Sequence, residues 1–152
     1  MFRVEITHNF ETAHRLSHPD APIKCQSIHG HSWWATVWME GEALDEQDML
    51  LEFGAFKRAW RGFLDGAVDH HLMVHEDDPV AQAILQVQPD ARILKLERQP
   101  TTEYVAKWVA MRTEELLRQL DPEGRCRLAR VHIQETRVNA AVFDAIHAAK
   151  EP

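Results

Sequence analysis

The sequence predicts an α+β fold: a four-stranded antiparallel sheet with two helices packed on one face. Three observations lead there. Two runs of alternating polarity open the chain, two helical periodicities occupy its middle, and two more alternating runs close it. The opening strand starts at Phe2 and places Val4, Ile6, His8, Phe10, Thr12, His14 and Leu16 on one mostly apolar face. The second follows with His29, His31, Trp33, Ala35, Val37 and Met39 on a common, core-facing side. An acidic turn, Gly41 to Asp48, separates it from a helix running from about Leu50 to Leu64. Phe53, Phe56, Trp60, Phe63 and Leu64 recur there at helical spacing, as core-facing positions do.

That helix has ended by Asp69-His70-His71-Leu72-Met73. Val80 to Val87 is a short helix-like run, and Ala91 to Glu97 alternates weakly, as a short edge strand does. Pro100-Thr-Thr-Glu103 opens a longer helix to about Leu120, with threonine before the first turn and glutamate within it. Asp121-Pro-Glu-Gly breaks that helix. Leu128 to Thr136 reads as the third strand, with Ala129, Val131 and Ile133 toward the core, and Ala140 to His147 as the fourth.

At 152 residues the chain is expected to be one domain, spanning 1–152, with enough apolar residues (45%) for a core of its own. A net charge of −7 without a Lys/Arg cluster argues against a nucleic-acid partner. No apolar run approaches a membrane span, and the N-terminus lacks a signal-peptide core, so a cytoplasmic protein is expected. In that compartment Cys25 and Cys126 are expected to be free thiols.

Three histidines carry the chemistry. His29 and His31 lie two residues apart on a strand, so both reach one side of the sheet. If the first two strands pair antiparallel, His14 faces the start of the second. Three imidazoles on one metal ion leave a coordination position open, which is the pattern of a catalytic zinc site. Cys25 stands four residues before the pair. It can act beside the metal as a base or nucleophile, or close a structural site of one cysteine and three histidines. Asp69 precedes His70, and an aspartate that orients a histidine makes a proton shuttle, although such pairs on loops are commonly idle. Glu135 continues the buried side of the third strand. Either it ends the strand in water or it meets an amidine-like group, whose two N–H donors match a carboxylate.

Phe10-Glu-Thr-Ala-His14-Arg-Leu, Cys25-Gln-Ser-Ile-His-Gly-His31, Leu51-Glu-Phe53, Val68-Asp-His-His71-Leu, Pro100-Thr-Thr-Glu103 and Val131-His-Ile-Gln-Glu-Thr136 occur in this order. Together they resemble the 6-pyruvoyltetrahydropterin and 6-carboxytetrahydropterin synthase family, over nearly the whole chain except roughly Met73 to Gln99. The resemblance implies the tunnelling fold, with subunits joined edge to edge into trimers that stack as a hexamer with active sites between subunits. It implies Zn2+ on His14, His29 and His31, and Cys25, Asp69 and His70 as catalytic residues. It implies Glu135 as the pterin anchor, beside Thr101, Thr102 and Glu103. The implied substrate is 7,8-dihydroneopterin triphosphate, a small molecule.

Cys25 and His29 are separated by three residues, as in the bacterial carboxy branch, where the animal pyruvoyl enzymes typically have five. The carboxy branch releases triphosphate and acetaldehyde and leaves 6-carboxytetrahydropterin for the 7-deazaguanine pathway toward queuosine. The pyruvoyl branch keeps the side chain. No glutamate replaces or flanks Cys25, unlike the folate-bypass variant. Glu52-Phe53 stands where the family usually has Asp-Phe, and Leu72-Met73 lacks the usual Asn or Asp. The segment 74–99 is longer than in compact bacterial members and matches no known role.

Overall fold

A computed structural model describes residues 1–145, and these build one six-stranded sheet in the order β4-β3-β1-β2-β5-β6. The strands are β1 (Phe2–His14), β2 (His29–Gly41), β3 (Leu72–His75), β4 (Ile93–Leu96), β5 (Arg127–Gln134) and β6 (Ala140–Asp144). The helices are α1 (Ile23–Gln26), α2 (Phe53–Ala67), α3 (Pro79–Val87) and α4 (Thr102–Leu120). The four antiparallel strands β1, β2, β5 and β6 are those expected from alternation. The sheet is larger than the expected four strands. β3 runs parallel to β1, and β4 runs parallel to β3, with α3 between them. β4 is the short edge strand expected within Ala91 to Glu97 and α3 the helix expected at Val80 to Val87, whereas β3, four residues long, is too short for a period of two to show in the sequence. The fourth strand, expected to reach His147, ends at Asp144, and positions 146–147 lie outside the described residues.

β1 and β2 pair in continuous register from Phe2↔Gly41 to His14↔His29. The inward side chains of both strands are the expected ones, and Trp33, Ala35, Val37 and Met39 are wholly buried. Phe10 stacks on Trp33 at 6.1 Å between ring centres. α2 packs on β1 and α4, and α4 covers β5 and β6. α4 buries Val105, Ala106, Val109, Ala110, Thr113 and Leu117, one stripe of a 3.6-residue period. Trp60 of α2 donates its indole N–H to the Thr113 hydroxyl at 3.1 Å, so this polar contact in the core is satisfied.

Two expectations about facing are corrected. Phe53 is 44% exposed, because α2 begins there rather than near Leu50; its ring lies under the Lys57 ammonium instead of in the core. The start is set by Glu52, whose carboxylate accepts from the Gly54 and Ala55 amides and takes the capping role an aspartate could fill. In β5 a bulge opposite Trp38 and Met39 sets Leu128 across from Met39, so Leu128 joins the core cluster with Val131 and Ile133. Ala129 is buried but is not the residue that faces Met39.

At the far end of the sheet from His14 a charged ladder crosses three strands. Arg3, Glu40 and Arg127 are direct cross-strand neighbours, and Glu40 accepts from Arg3 at 2.7 Å and from Arg127 at 2.9 Å. The Glu40 side chain is 3% exposed while both arginines reach solvent. Beside it a Cβ at Gly41 would overlap the Arg125 carbonyl and Leu50, so only glycine fits that corner. The Arg3 hydrogen bond does most to hold the Glu40 carboxyl below its ordinary value of 4.5; burial opposes it and Arg127 adds to it. A depressed folded pKa contributes stability above the unfolded value and loses it as pH falls through the folded one. Glu40→Gln is therefore expected to cost about 1–3 kcal/mol at pH 7, the worth of hydrogen bonds to a charged group. In urea unfolding the gap to the parent protein should close well below pH 4.5.

Candidate metal centre

The β1–β2 register puts His14 directly across from His29 and Thr12 across from His31. All three imidazoles lie on the helix-covered side at the sheet's end. Their ligand nitrogens fall within 4.8 Å of one another, and Cys25 is not part of that group. The indole of Trp33 forms the floor, edge-on to His14 at 5.0 Å and to His31 at 5.7 Å between ring centres. Trp33 is itself tied to β1 through the Thr12 carbonyl at 3.2 Å.

Backbone carbonyls fix two of the rings. His14 Nδ1 meets the Pro100 carbonyl at 2.9 Å, and His29 Nδ1 meets the Ser27 carbonyl at 2.8 Å. An Nδ1–H bound in this way leaves Nε2 as the basic nitrogen, the usual arrangement around a metal-binding histidine. His14 Nε2 is buried and has no hydrogen-bond partner, which an uncommitted core histidine would need. Burial lowers the His14 pKa most, and the neighbouring His29 lowers it further, against the Pro100 carbonyl. Burial likewise lowers that of His31, against the Glu135 carboxylate. Both rings are therefore neutral at pH 7, the form that binds a cation. The donor set fits a divalent metal held by three nitrogens with positions left open.

Glu135 follows directly on β5, and its side chain is only 16% exposed, so it is not a strand end in water. Its Oε1 stands 3.5 Å from His14 Nε2 and accepts from the Thr102 hydroxyl at 3.1 Å. α4 thus begins at the site. Thr101 uses its own hydroxyl to cap that helix at the Tyr104 amide, and Glu103 of the first turn is exposed.

Asp69 and His70 lie along the outer edge of β1. The Glu11 amide donates to Asp69 Oδ1 at 2.8 Å, and the His70 amide donates to the Glu11 carbonyl at 2.6 Å. Asp69 Oδ2 holds His70 Nδ1 at 2.6 Å, leaving Nε2 free to exchange protons. Burial pushes the Asp69 carboxyl up, but the Glu11 amide and His70 outweigh it, and the carboxyl stays below its ordinary value. His70 adopts φ 56°, a left-handed conformation that costs a non-glycine residue of order 1–3 kcal/mol. Its ring is 73% exposed, so strain is being spent on presenting an oriented imidazole outward. His70 and His31 line one cavity of about 460 Å³ with Glu11, Thr12, Ala13, Gly30, Ser32 and His71. Cys25, on α1, is half-buried and is not on that lining.

A family profile described as 6-pyruvoyl tetrahydropterin synthase matches residues 3–145. The chain belongs to this family. Relatives include the 6-carboxy-5,6,7,8-tetrahydropterin synthase of Aquifex aeolicus, 25% identical over 93% of this chain and 97% of that one. The protein of that name from Bacillus subtilis is 28% identical over 78% of this chain and 69% of that one. Among solved structures, the Caenorhabditis elegans 6-pyruvoyl tetrahydropterin synthase superposes with TM-score 0.63 at 22% identity, covering 95% of each chain. An uncharacterized protein from Wolinella succinogenes superposes with TM-score 0.76 at 18% identity, over 95% and 99%. The fold is that of the pterin synthases, the tunnelling fold, and the histidine cluster falls inside the family match.

Other residues of the site gave no sequence signal that was read as functional. Pro100 and Ser27 contribute main-chain carbonyls, which residue identity does not reveal. Arg15 and Asp78 form an ion pair next to the cluster. Asp78-Pro79 is an N-cap followed by proline at the first helical position, and that signature could have located it. Among the described residues no helix is long and apolar enough to cross a membrane.

Two outcomes test the centre. His14→Ala should weaken zinc binding by more than the about 10–100-fold typical of losing an outer-shell partner, measured by equilibrium dialysis with elemental analysis. Because the folded pKa values of His14 and His31 lie below 6.5, zinc should be retained as pH falls through that value and released only at lower pH.

Proposed function

We propose that the protein is a zinc-dependent carbon–carbon lyase. In this reading it converts 7,8-dihydroneopterin triphosphate to 6-carboxytetrahydropterin, with loss of acetaldehyde and triphosphate, in the 7-deazaguanine pathway toward queuosine. One observation carries it: three convergent histidine nitrogens stand next to a shielded carboxylate that a threonine hydroxyl orients. That is a metal position and a heterocycle anchor within one side chain's reach. The three-residue Cys25–His29 spacing and the names of the Aquifex and Bacillus relatives support the carboxy branch.

Each group has a task that its surroundings permit. His14, His29 and His31 would hold zinc, which would supply Lewis-acid activation to the hydroxyls of the substrate side chain. Pro100 and Ser27 keep the His14 and His29 rings aimed at one point. Glu135 offers its carboxylate to the paired N–H donors of the pterin ring, with Thr102 fixing one oxygen and Thr101 and Glu103 completing that wall. Cys25, as thiolate, takes a proton from the substrate side chain. His70, its Nδ1 held by Asp69, carries protons at Nε2.

On one chain the exposed His70 lines a cavity that does not include Cys25, leaving two half-sites. Active sites assembled between subunits of a homohexamer, a dimer of trimers, bring such halves together. A site closed by Cys25 as fourth ligand is disfavoured because Cys25 is outside the histidine group.

Mass spectrometry of the products from the zinc-loaded protein tests the reading. Acetaldehyde with 6-carboxytetrahydropterin is the expected result; 6-pyruvoyltetrahydropterin without cleavage moves the protein to the pyruvoyl branch, and unchanged substrate rejects both. Cys25→Ala is expected to keep zinc and fold while turnover falls about 10²–10⁴-fold. Glu135→Gln should raise KM about 10–100-fold, the cost of a charged hydrogen-bond pair.

A further inference from the structure

We propose that Asp78 and Arg15 are positioning residues that hold the Cys25 turn beside the histidine cluster, and that this is what the segment from β3 to β4 contributes to the site. The inference deepens the lyase reading and rests on it for the role of Cys25 in turnover.

α1 has little of its own to keep it folded. It is four residues long, below the length at which a helix survives alone, and none of its residues is buried. Its N-cap, Pro22, makes no side-chain hydrogen bond. What ties α1 to the body of the protein is the pair of residues that directly follows His14. The Leu16 amide donates to the Cys25 carbonyl at 2.8 Å, and Arg15 Nε donates to the Gln26 carbonyl at 2.8 Å. The next carbonyl, Ser27, is the one that orients His29. Three successive carbonyls of the Cys25 turn are thus each bound by a residue at, or within two positions of, a metal-ligand position.

The other end of Arg15 is fixed by Asp78. Arg15 Nη1 donates to Asp78 Oδ1, and the same oxygen accepts from the Val80 amide at 2.9 Å, capping α3. The Asp78 side chain is fully buried and that of Arg15 is 14% exposed. A carboxylate so enclosed requires a cation, and Arg15 supplies it. The guanidinium serves Asp78 through Nη1 and the Gln26 carbonyl through Nε at once, a fork that lysine lacks. β3 aligns parallel with the end of β1 at Ala13 and His14, which brings Asp78 to this corner. Without this segment Arg15 would have no buried anion to fix its guanidinium, and its hold on the Gln26 carbonyl would lose that anchor.

The test uses the full-length zinc-loaded protein with two variants, Asp78→Asn and Arg15→Lys. Cys25 is alkylated with iodoacetamide in the absence of substrate. Cys126 does not interfere, because burial pushes its thiol up to about 11. The expected result is faster Cys25 alkylation in both variants and a kcat lowered about 10–100-fold by misplacement of the thiol, with KM little changed. The cobalt(II) absorption of the histidine centre should stay as in the parent. Glu40→Gln, at the opposite end of the sheet, controls for simple destabilisation and should leave the alkylation rate alone.

Parent-like alkylation and kcat in the two variants would overturn the proposal. So would alkylation that rises with falling Tm in Glu40→Gln as well. If Asp78→Asn does not fold, Arg15→Lys decides alone. Failure of the parent protein to turn over the pterin rejects the lyase reading, whereas the alkylation rates still report on the positioning.

Discussion

The antiparallel pairing of β1 with β2 is the constraint on which the rest of the molecule depends. Its unbroken register sets His14 opposite His29 and, through Thr12, places His31 on the same side. A slip of one residue would turn every side chain of one strand to the other face, separating His14 from its partners and exposing Phe10 or Trp33. The burial of Trp33, Ala35, Val37 and Met39 prevents that slip, so the hydrophobic core and the candidate metal site are enforced by the same pairing. Site and core are continuous: Trp33 is stacked on Phe10 on one side and forms the floor under the histidines on the other.

Around this pairing the protein spends backbone groups on its functional side chains. The carbonyls of Pro100 and Ser27 choose the tautomers of His14 and His29, and the Glu11 main chain holds both Asp69 and His70. Hydrogen bonds to the main chain fix ring orientation before a ligand arrives, so the rings they hold lose little further entropy on binding it. The left-handed His70 is the opposite kind of feature, an exposed strained residue kept in place by one main-chain hydrogen bond to Glu11 of β1 and by the Asp69 carboxylate. Strain of that kind at an oriented, solvent-facing imidazole is a feature that clusters at functional sites.

The segment between Val68-Asp-His-His71-Leu and Pro100-Thr-Thr-Glu103 contacts the end of β1 that carries His14. β3, α3 and β4 extend the sheet beyond its antiparallel core, and the turn before α3 delivers a buried carboxylate to the end of β1. One hydrogen-bonded arginine then couples that addition to the turn that carries Cys25.

The sequence by itself determined the four antiparallel strands, the two long helices, the shared face of His14, His29 and His31, and the family. Those features rest on local periodicity and on motif spacing, which are properties of neighbouring residues. Tertiary structure decided the rest. Whether β3 exists depends on pairing with distant strands, and its four residues show no period of their own; alternation located β4 but not its parallel partner. Phe53 left the core because the Glu52 cap moved the helix start, and Leu128 entered it because a bulge shifted one register. Glu135 became an enclosed carboxylate beside Thr102 only when α4 docked on β5. The surroundings of the Cys25 turn belong to this second class, since Arg15 joins the Gln26 carbonyl to Asp78, contacts made between residues far apart in sequence.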